Sequence, residues 1–187
     1  MMDSGGSLLV VSGPPGSGKS TVARLLATSM DRSILVAGDE FFGFIASGGV
    51  DPWLPESDAQ NAVVVDAAAR ATGTFVNAGY DTVYDGVIGP WYIDRFHGAS
   101  AVDRLDYVVL LPPVETCVHR VRTRSAHAFD DEPAARHMHR EFERDLPPEG
   151  HVLRTADATV AETVADVLAA RSTGRLSWPR QPPPPES

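Results

Sequence analysis

The sequence is poor in cysteine, in long apolar runs and in positive charge, and each shortage excludes a class of protein. Cys117 is the only cysteine among 187 residues, so neither a disulfide framework nor a cysteine-rich metal site is possible. No apolar stretch approaches the roughly 20 residues of a membrane span, and no N-terminal signal pattern is found, which predicts a cytoplasmic protein. A formal net charge of −9 argues against nucleic-acid or membrane surfaces and favours a small-molecule partner.

Lysine is the scarcest basic residue, because Lys19 is the only lysine among 16 Lys and Arg residues. A lysine ammonium is a compact charge that fits along a folded loop onto phosphate oxygens, whereas the wider guanidinium does not. Lys19 belongs to a segment that matches the phosphate-binding pattern G-x-x-x-x-G-K-[ST]: Gly13, Pro14, Pro15, Gly16, Ser17, Gly18, Lys19 and Ser20. Such a loop cradles the phosphates of ATP or GTP.

The flanks of this loop support nucleotide binding. Residues 7–12 form an apolar run typical of a buried strand, and the residues from Thr21 onward have apolar positions at helical spacing. Between a strand and a helix, glycines let backbone N–H groups converge on phosphates, and the helix N-terminus adds partial positive charge. Ser20 would offer its hydroxyl to Mg²⁺. The alternative is a glycine-rich turn with an incidental lysine.

Strand and helix patterns alternate along the chain, which predicts an α/β fold with a parallel sheet in one domain, residues 1–174. The residues Ser57, Asp58, Ala59 and Gln60 resemble a capping box at the start of a helix over 57–78. We expect the proline-rich tail, residues 175–187, to be unstructured. The predicted strands are 7–12, 34–38, 81–84, 107–111 and 151–154, and the other predicted helices are 19–29, 91–97, 114–124, 134–144 and 160–170.

Two aspartates each end a predicted strand, and ligands bind at that edge of a parallel sheet. Asp39 can accept the proton of an acceptor hydroxyl; capping a short following helix is the alternative. Asp85, before Gly86, can hold Mg²⁺ or contact substrate, or it can be an ordinary turn residue.

Arginines and a polar break follow the fourth strand. Arg120 and Arg124 share a helix face and can reach transferring phosphates, whereas Arg122 points elsewhere. Residues 124–133 suit a lid that closes over the nucleotide. Simple complementation of the helix dipole is the alternative for these arginines.

Aromatic side chains can form the walls of an acceptor pocket, although core packing is the alternative for each. Trp53 is the strongest candidate, because it follows Asp39 within a loop. The other candidates are Phe41, Phe42, Trp91 and Tyr92. Three histidines, His127, His137 and His139, lack accompanying ligands at metal spacing and are interpreted as surface or lid residues.

With these motifs in this order, the chain resembles small-molecule P-loop kinases, including gluconate kinases and chloramphenicol phosphotransferases. The resemblance covers roughly residues 7–170 and is most specific at the P-loop. It implies a three-layer P-loop NTPase fold with a five-stranded parallel sheet in the order 2-3-1-4-5. It also implies ATP and Mg²⁺ as cofactors, Asp39 as the base, Lys19 and lid arginines on the phosphates, and the loop containing Asp157 against adenine.

One departure bears on the acceptor. Gluconate kinases usually carry a histidine soon after the matching aspartate, whereas Glu40, Phe41 and Phe42 follow here. An amphipathic hydroxyl compound, such as an antibiotic or a nucleoside, therefore fits better than gluconate. A nucleotide kinase is an alternative, although Arg70 is the only nearby arginine for a monophosphate. A regulatory ATPase that acts through a partner is a third possibility.

Overall fold

A computed structural model describes residues 5–123, 131–156 and 158–180 of the protein. Strands and helices alternate along the chain, as the pattern predicts. The strands are β1 (Leu8–Ser12), β2 (Ser33–Ala37), β3 (Asp81–Asp85), β4 (Leu105–Leu110), β5 (Val152–Leu153) and β6 (Ser177–Trp178). The helices are α1 (Lys19–Thr28), α2 (Asp58–Asn77), α3 (Pro90–Ser100), α4 (Val114–Thr123), α5 (Glu132–Arg144) and α6 (Val160–Ser172). None of the helices in these described ranges is long and apolar enough to cross a membrane.

The first five strands form a parallel sheet in the order β2-β3-β1-β4-β5. Strand β1 lies at the centre, and its five residues are all buried because both faces are covered by helices. Val11 of β1 pairs with Asp85 of β3, which in turn pairs with Ala37 of β2. The carboxyl ends of these three strands therefore lie side by side, immediately before the segments predicted to bind ligands.

Two hydrophobic cores lie on opposite faces of the sheet. Leu8 and Val10 pack on one face with α2 and α3, whereas Leu9 and Val11 pack on the other with α1 and α6. This alternation follows from the two-residue period of a strand. The result is the three-layer α/β/α arrangement expected for a P-loop protein.

The sheet has a sixth strand that the sequence did not predict. Strand β6 pairs antiparallel with β4, joining Leu105 to Trp178. Leu176 is completely buried, and the indole Nε1 of Trp178 donates a hydrogen bond to Asp94 at 2.7 Å. The prediction of an unstructured tail is therefore wrong for residues 176–178, and residues 181–187 lie outside the described ranges.

The start of α2 also differs from the predicted capping box. Ser57 precedes the helix, but its hydroxyl lies 2.7 Å from the carbonyl oxygen of Leu54 and 2.9 Å from that of Pro52. The Gln60 side chain bonds both the backbone N–H (2.8 Å) and the carbonyl (2.7 Å) of Val50. These polar side chains hold the preceding loop against α2 instead of capping the helix.

Candidate active site

The predicted phosphate loop connects β1 to α1 and has the backbone that its glycines permit. Gly16 (φ 80°) and Gly18 (φ 93°) adopt left-handed conformations that favour glycine. A Cβ on Gly16 would lie 2.2 Å from the carbonyl oxygen of Cys117, so a side chain is excluded there. Gly18 caps α1 without a side-chain hydrogen bond, and the first turn of α1 has no acidic residue. The helix N-terminus is therefore free of competing carboxylates and suits a phosphate.

The loop contributes to two neighbouring cavities. A cavity of about 350 Å³ is lined by Ser17, Gly18 and Thr21. A second cavity of about 580 Å³ is lined by Pro15 and by Lys19, the first residue of α1. The loop thus lies where the two cavities approach each other, as a site that transfers a phosphoryl group between two molecules requires.

Buried hydroxyl groups mark the smaller cavity as a site for a polar ligand. The hydroxyls of Ser17 and Thr155 are buried and have no hydrogen-bonding partner among the described residues. Both residues line this cavity, as does Ala158. Asp157, which the resemblance places against adenine, lies outside the described residues. Unpaired buried hydroxyls are costly unless a ligand or water pairs with them.

The arginines of α4 separate into different environments. Arg120 lines the smaller cavity, and its Nη1 donates to the carbonyl oxygens of Gly16 (3.3 Å) and Ser17 (3.2 Å). Arg122 is exposed and forms an ion pair with Glu132 at 2.9 Å. Arg124 and most of the predicted lid lie outside the described residues. The structure therefore brings Arg120 to the phosphate loop and leaves Arg122 at the surface.

The larger cavity has largely apolar walls with Asp39 at its edge. Four of the five predicted aromatic side chains line it: Phe42, Trp53, Trp91 and Tyr92. Phe41 does not; it packs edge-to-face on Phe44 with ring centroids 5.5 Å apart. Asp39 is exposed in the first turn of a short 3-10 helix, Gly38–Phe44, and makes no capping hydrogen bond. The alternative of Asp39 as a helix cap is therefore not supported.

Tyr84 is a residue of the site that the sequence analysis missed. It lines the larger cavity and is 3% exposed. Burial, followed by the nearby carboxylates of Asp39 and Asp85, raises the pKa of Tyr84 far above its usual value. The phenol therefore stays protonated between two carboxylates. Its signal in the sequence is its position directly before Asp85 and Gly86 at a strand end.

Close packing around Tyr84 makes Gly38→Ala a sharp test of this geometry. A Cβ on Gly38 would lie 2.0 Å from the Tyr84 hydroxyl oxygen, and the ring is already packed on Phe96 at 4.6 Å. We expect overpacking to lower the free energy of unfolding by about 1–3 kcal/mol, measured by urea denaturation. Gly43→Ala, in the same 3-10 helix with nothing within 4 Å of its Cβ, is the matched control. Equal stabilities of the two variants would contradict this packing.

Asp85 lies beside the larger cavity and is not among its lining residues. It is the last residue of β3, 9% exposed, and its strand neighbours β1 and β2 lead into the phosphate loop and Asp39. Ser20 lies in the first turn of α1. A hydroxyl and a carboxylate are hard oxygen donors that fit Mg²⁺, which binds few protein ligands alongside nucleotide phosphates. Among the described residues, no group of three or more His, Cys, Asp or Glu side chains is placed to hold a metal.

Comparison with known proteins identifies the relatives of this chain. Residues 8–148 match AAA_33, an AAA domain. The chain belongs to the AAA_33 family. Cytidylate kinase of Methanococcoides burtonii is 32% identical over 127 residues, which is 66% of this chain and 66% of that relative, just under two thirds of its length.

Solved structures share the fold of this AAA_33 protein. A sugar kinase of Janibacter sp. HTCC2649 has a TM-score of 0.67 at 16% identity, covering 89% of this chain and 95% of its own. A gluconokinase of Sinorhizobium meliloti 1021 has a TM-score of 0.63 at 22% identity, covering 89% and 92%. The prediction of a P-loop kinase is thus confirmed at the level of family and fold, and the three relatives named here are kinases.

Helix α5 contributes a wall of the larger cavity that the sequence analysis did not anticipate. Its residues at the cavity are His137, Met138, Glu141 and Phe142, and Phe142 packs on Trp91 with ring centroids 5.3 Å apart. The apolar spacing of Ala134, Ala135, Met138 and Phe142 was an available signal, because it gives the helix one inward face.

His139 is 1% exposed and its Nε2 lies 2.8 Å from the carbonyl oxygen of Pro112. The surface interpretation of His139 is therefore wrong, and His127 lies outside the described residues.

The lone cysteine of this AAA_33 protein is expected to be unreactive. Cys117 is fully buried behind Gly16, and burial raises the pKa of its thiol to about 11, although Arg120 and Lys19 act in the opposite direction. Since the thiolate is the nucleophile, we expect alkylation at pH 8 to be about a hundredfold slower in the folded protein than in urea. Iodoacetamide kinetics measure this ratio, and equal rates in both states would contradict the burial of the thiol.

Proposed function

We propose that this protein is an ATP-dependent phosphotransferase that transfers the γ-phosphoryl group to a hydroxyl of a small molecule. The observation that carries the proposal is the pair of cavities on either side of one phosphate loop. Ser17 and Gly18 line the smaller cavity, whereas Lys19 and Asp39 line the larger one. A donor nucleotide and an acceptor can thus be bound on opposite sides of the loop.

The smaller cavity is assigned to the adenine nucleotide. The buried hydroxyls of Ser17 and Thr155 offer hydrogen bonds to a polar ligand, and the α1 N-terminus favours phosphates. Arg120 is held against the loop backbone, where its charge stabilises the phosphates. Mg²⁺, held by Ser20 and Asp85, would neutralise charge on the phosphate oxygens when bound.

Asp39 is assigned as the group that receives the acceptor proton. The acceptor oxygen forms a bond to the γ-phosphorus as its proton passes to the Asp39 carboxylate, and the bond from that phosphorus to the β-γ bridging oxygen breaks to release ADP. Lys19 stabilises the negative charge on the transferring group. Tyr84, kept neutral by burial, adds a hydroxyl beside this carboxylate.

The lining of the larger cavity supports an amphipathic acceptor. Aromatic side chains from three parts of the fold surround it, Phe42, Trp53 and Trp91 among them. Such walls suit an apolar body, with a few polar groups fixing its orientation. The sugar kinase and the gluconokinase that share the fold act on sugar compounds by name. The apolar residues after Asp39 nevertheless favour a more apolar acceptor than gluconate.

A nucleotide kinase is the second candidate, because the curated relative is a cytidylate kinase. A monophosphate acceptor needs cations on its side of the site. Arg70 is exposed on α2 and is not among the cavity residues. This candidate therefore ranks below a kinase for an uncharged hydroxyl compound.

The test is ADP release from Mg-ATP across a panel of acceptors: sugars and sugar acids, nucleosides, CMP, shikimate and hydroxyl-bearing antibiotics. Lys19→Ala is the blank, and mass spectrometry identifies the phosphorylated product. We expect release that depends on one class of acceptor and disappears in the blank. ATP binding together with acceptor-independent hydrolysis would instead favour a regulatory ATPase and overturn the proposal.

A further inference from the structure

We propose that the acceptor of this site carries no anionic group: it is a neutral or cationic molecule that presents hydrogen-bond donors beside an apolar body. This inference rests on the proposed function, since it concerns the molecule that occupies the larger cavity. It separates the acceptor from sugar acids and from nucleotides, although a gluconokinase and a cytidylate kinase are among the related proteins.

The charged residues that line the larger cavity are mostly acidic. Three carboxylates line it, from Asp39, Asp58 and Glu141, and among the described lining residues Lys19 is the one permanent cation. Lys19 belongs to the phosphate loop, so its charge is matched by the bound nucleotide. The acceptor side of the cavity therefore keeps an excess of negative charge.

The three carboxylates differ in how much of their negative charge is offset by a neighbouring cation. Glu141 is bonded at both oxygens by Arg144, at 2.9 and 2.8 Å, which offsets much of its charge. Asp58 is exposed in the first turn of α2, and no ion pair to it is found among the described residues. Asp58 and Asp39 are thus the groups that an anionic acceptor would meet, and like charges at short range repel each other.

Asn61 supplies a second, independent feature that points to a donor-rich ligand. It lines the cavity at 8% exposure, and its Nδ2 donates to Pro52 O at 2.8 Å and to Ser57 Oγ at 2.9 Å. These two bonds fix the orientation of the amide, because the carbonyl oxygen of Pro52 can only accept. The remaining oxygen, Oδ1, has no hydrogen-bonding partner among the described residues. A hydroxyl or ammonium of the acceptor is the chemistry that would satisfy it.

Charged thiol reagents test the cavity without requiring the acceptor. Met138→Cys places a thiol in the wall of the cavity, and Val63→Cys places one on the exposed face of α2 as a control for overall charge. The reagents are methanethiosulfonates carrying either trimethylammonium or sulfonate. We expect the ratio of cationic to anionic rates to be about fivefold higher at position 138 than at position 63. Native Cys117 is buried and should stay silent.

Adding Asp58→Asn to the Met138→Cys variant tests whether the Asp58 carboxylate causes the faster labelling of position 138 by the cationic reagent. We expect the rate ratio to fall toward that of the surface control, because a carboxylate of the cavity has been removed. Phe42→Cys provides a second cavity position if the first variant folds poorly. A ratio at the cavity equal to or below that of the surface control would overturn the inference.

Matched acceptors separate this inference from the proposed function. With Mg-ATP, we compare cytidine with CMP, and glucosamine and glucose with gluconate. Phosphorylation that prefers the neutral or cationic member of a pair supports the inference. Preference for CMP or gluconate overturns it and leaves a kinase in place. If no acceptor in any assay is phosphorylated, the proposed function fails, and the labelling ratio still decides the charge of the cavity.

Discussion

Replacing Lys19 by arginine is expected to reduce ATP turnover by about 10²–10³-fold, even though the charge is kept. Lys19 is 5% exposed at the start of α1, beneath the phosphate loop. The guanidinium is wider and planar, so it cannot lie along the loop and contact the phosphates as an ammonium does. Initial rates of ADP release at saturating Mg-ATP measure the loss.

Arg24→Lys is the matched control for this substitution. Arg24 lies on the exposed face of the same helix, so exchange of the two cations there should change the rate by less than about twofold. Circular dichroism and urea denaturation establish that both variants fold. If turnover by Lys19→Arg stayed within about threefold of that of the unaltered protein, a guanidinium would serve at this position as well as the compact ammonium of lysine.

The phosphate loop could be predicted because its chemistry depends on residues adjacent in sequence. Gly16 and Gly18 occupy left-handed conformations, and Lys19 begins the helix that follows. Local sequence also specifies β1, because an apolar run without polar interruption suits a strand covered on both faces. Spacing does not determine which strands pair, and the order 2-3-1-4-5 was expected from the resemblance to P-loop kinases.

The parts that sequence reasoning missed depend on contacts between distant segments. Trp178 belongs to a tail segment without a strand pattern, and its place depends on pairing with β4, on its hydrogen bond to Asp94 and on ring contacts with Tyr107 and His151. Ser57 and Gln60 match a capping box, yet tertiary contacts to the preceding loop displace that local pattern. The periodicity of α5 indicates an inward face, but it does not indicate that this face packs against Trp91 and forms a wall of the larger cavity.

Strand β6 lies outside both cavities, but the missed features of the site itself, Tyr84 and the α5 wall, are on the acceptor side, and this has a physical reason. Phosphate binding uses backbone N–H groups and one cation, so a short motif is sufficient. In the proposed function, acceptor recognition would use side chains from α2, α3 and α5 that converge only after folding, since Asn61, Tyr92 and Phe142 all line the larger cavity. The identity of the acceptor is therefore encoded in packing, and experiments on the larger cavity carry more information than further inspection of the loop.

Asp39→Asn gives the second large effect that we expect. If Asp39 receives the acceptor proton, the amide should lower acceptor-dependent phosphoryl transfer by about 10²–10⁴-fold, because it cannot take up that proton. Binding of Mg-ATP should change little, since Asp39 lines the larger cavity and not the smaller one. Transfer rates and nucleotide affinity, measured on the same preparation, separate the two effects.

Glu40→Gln removes the neighbouring carboxylate and makes a close control. Glu40 is exposed in the same 3-10 helix and is not among the residues that line either cavity. We expect it to retain transfer within about twofold of the unaltered protein, as an exposed position away from the chemistry should. Equal losses in both variants would attribute the effect to the net charge of this helix. Near-normal transfer by Asp39→Asn would remove Asp39 as the base and direct the search to Asp85, the other carboxylate close to Tyr84.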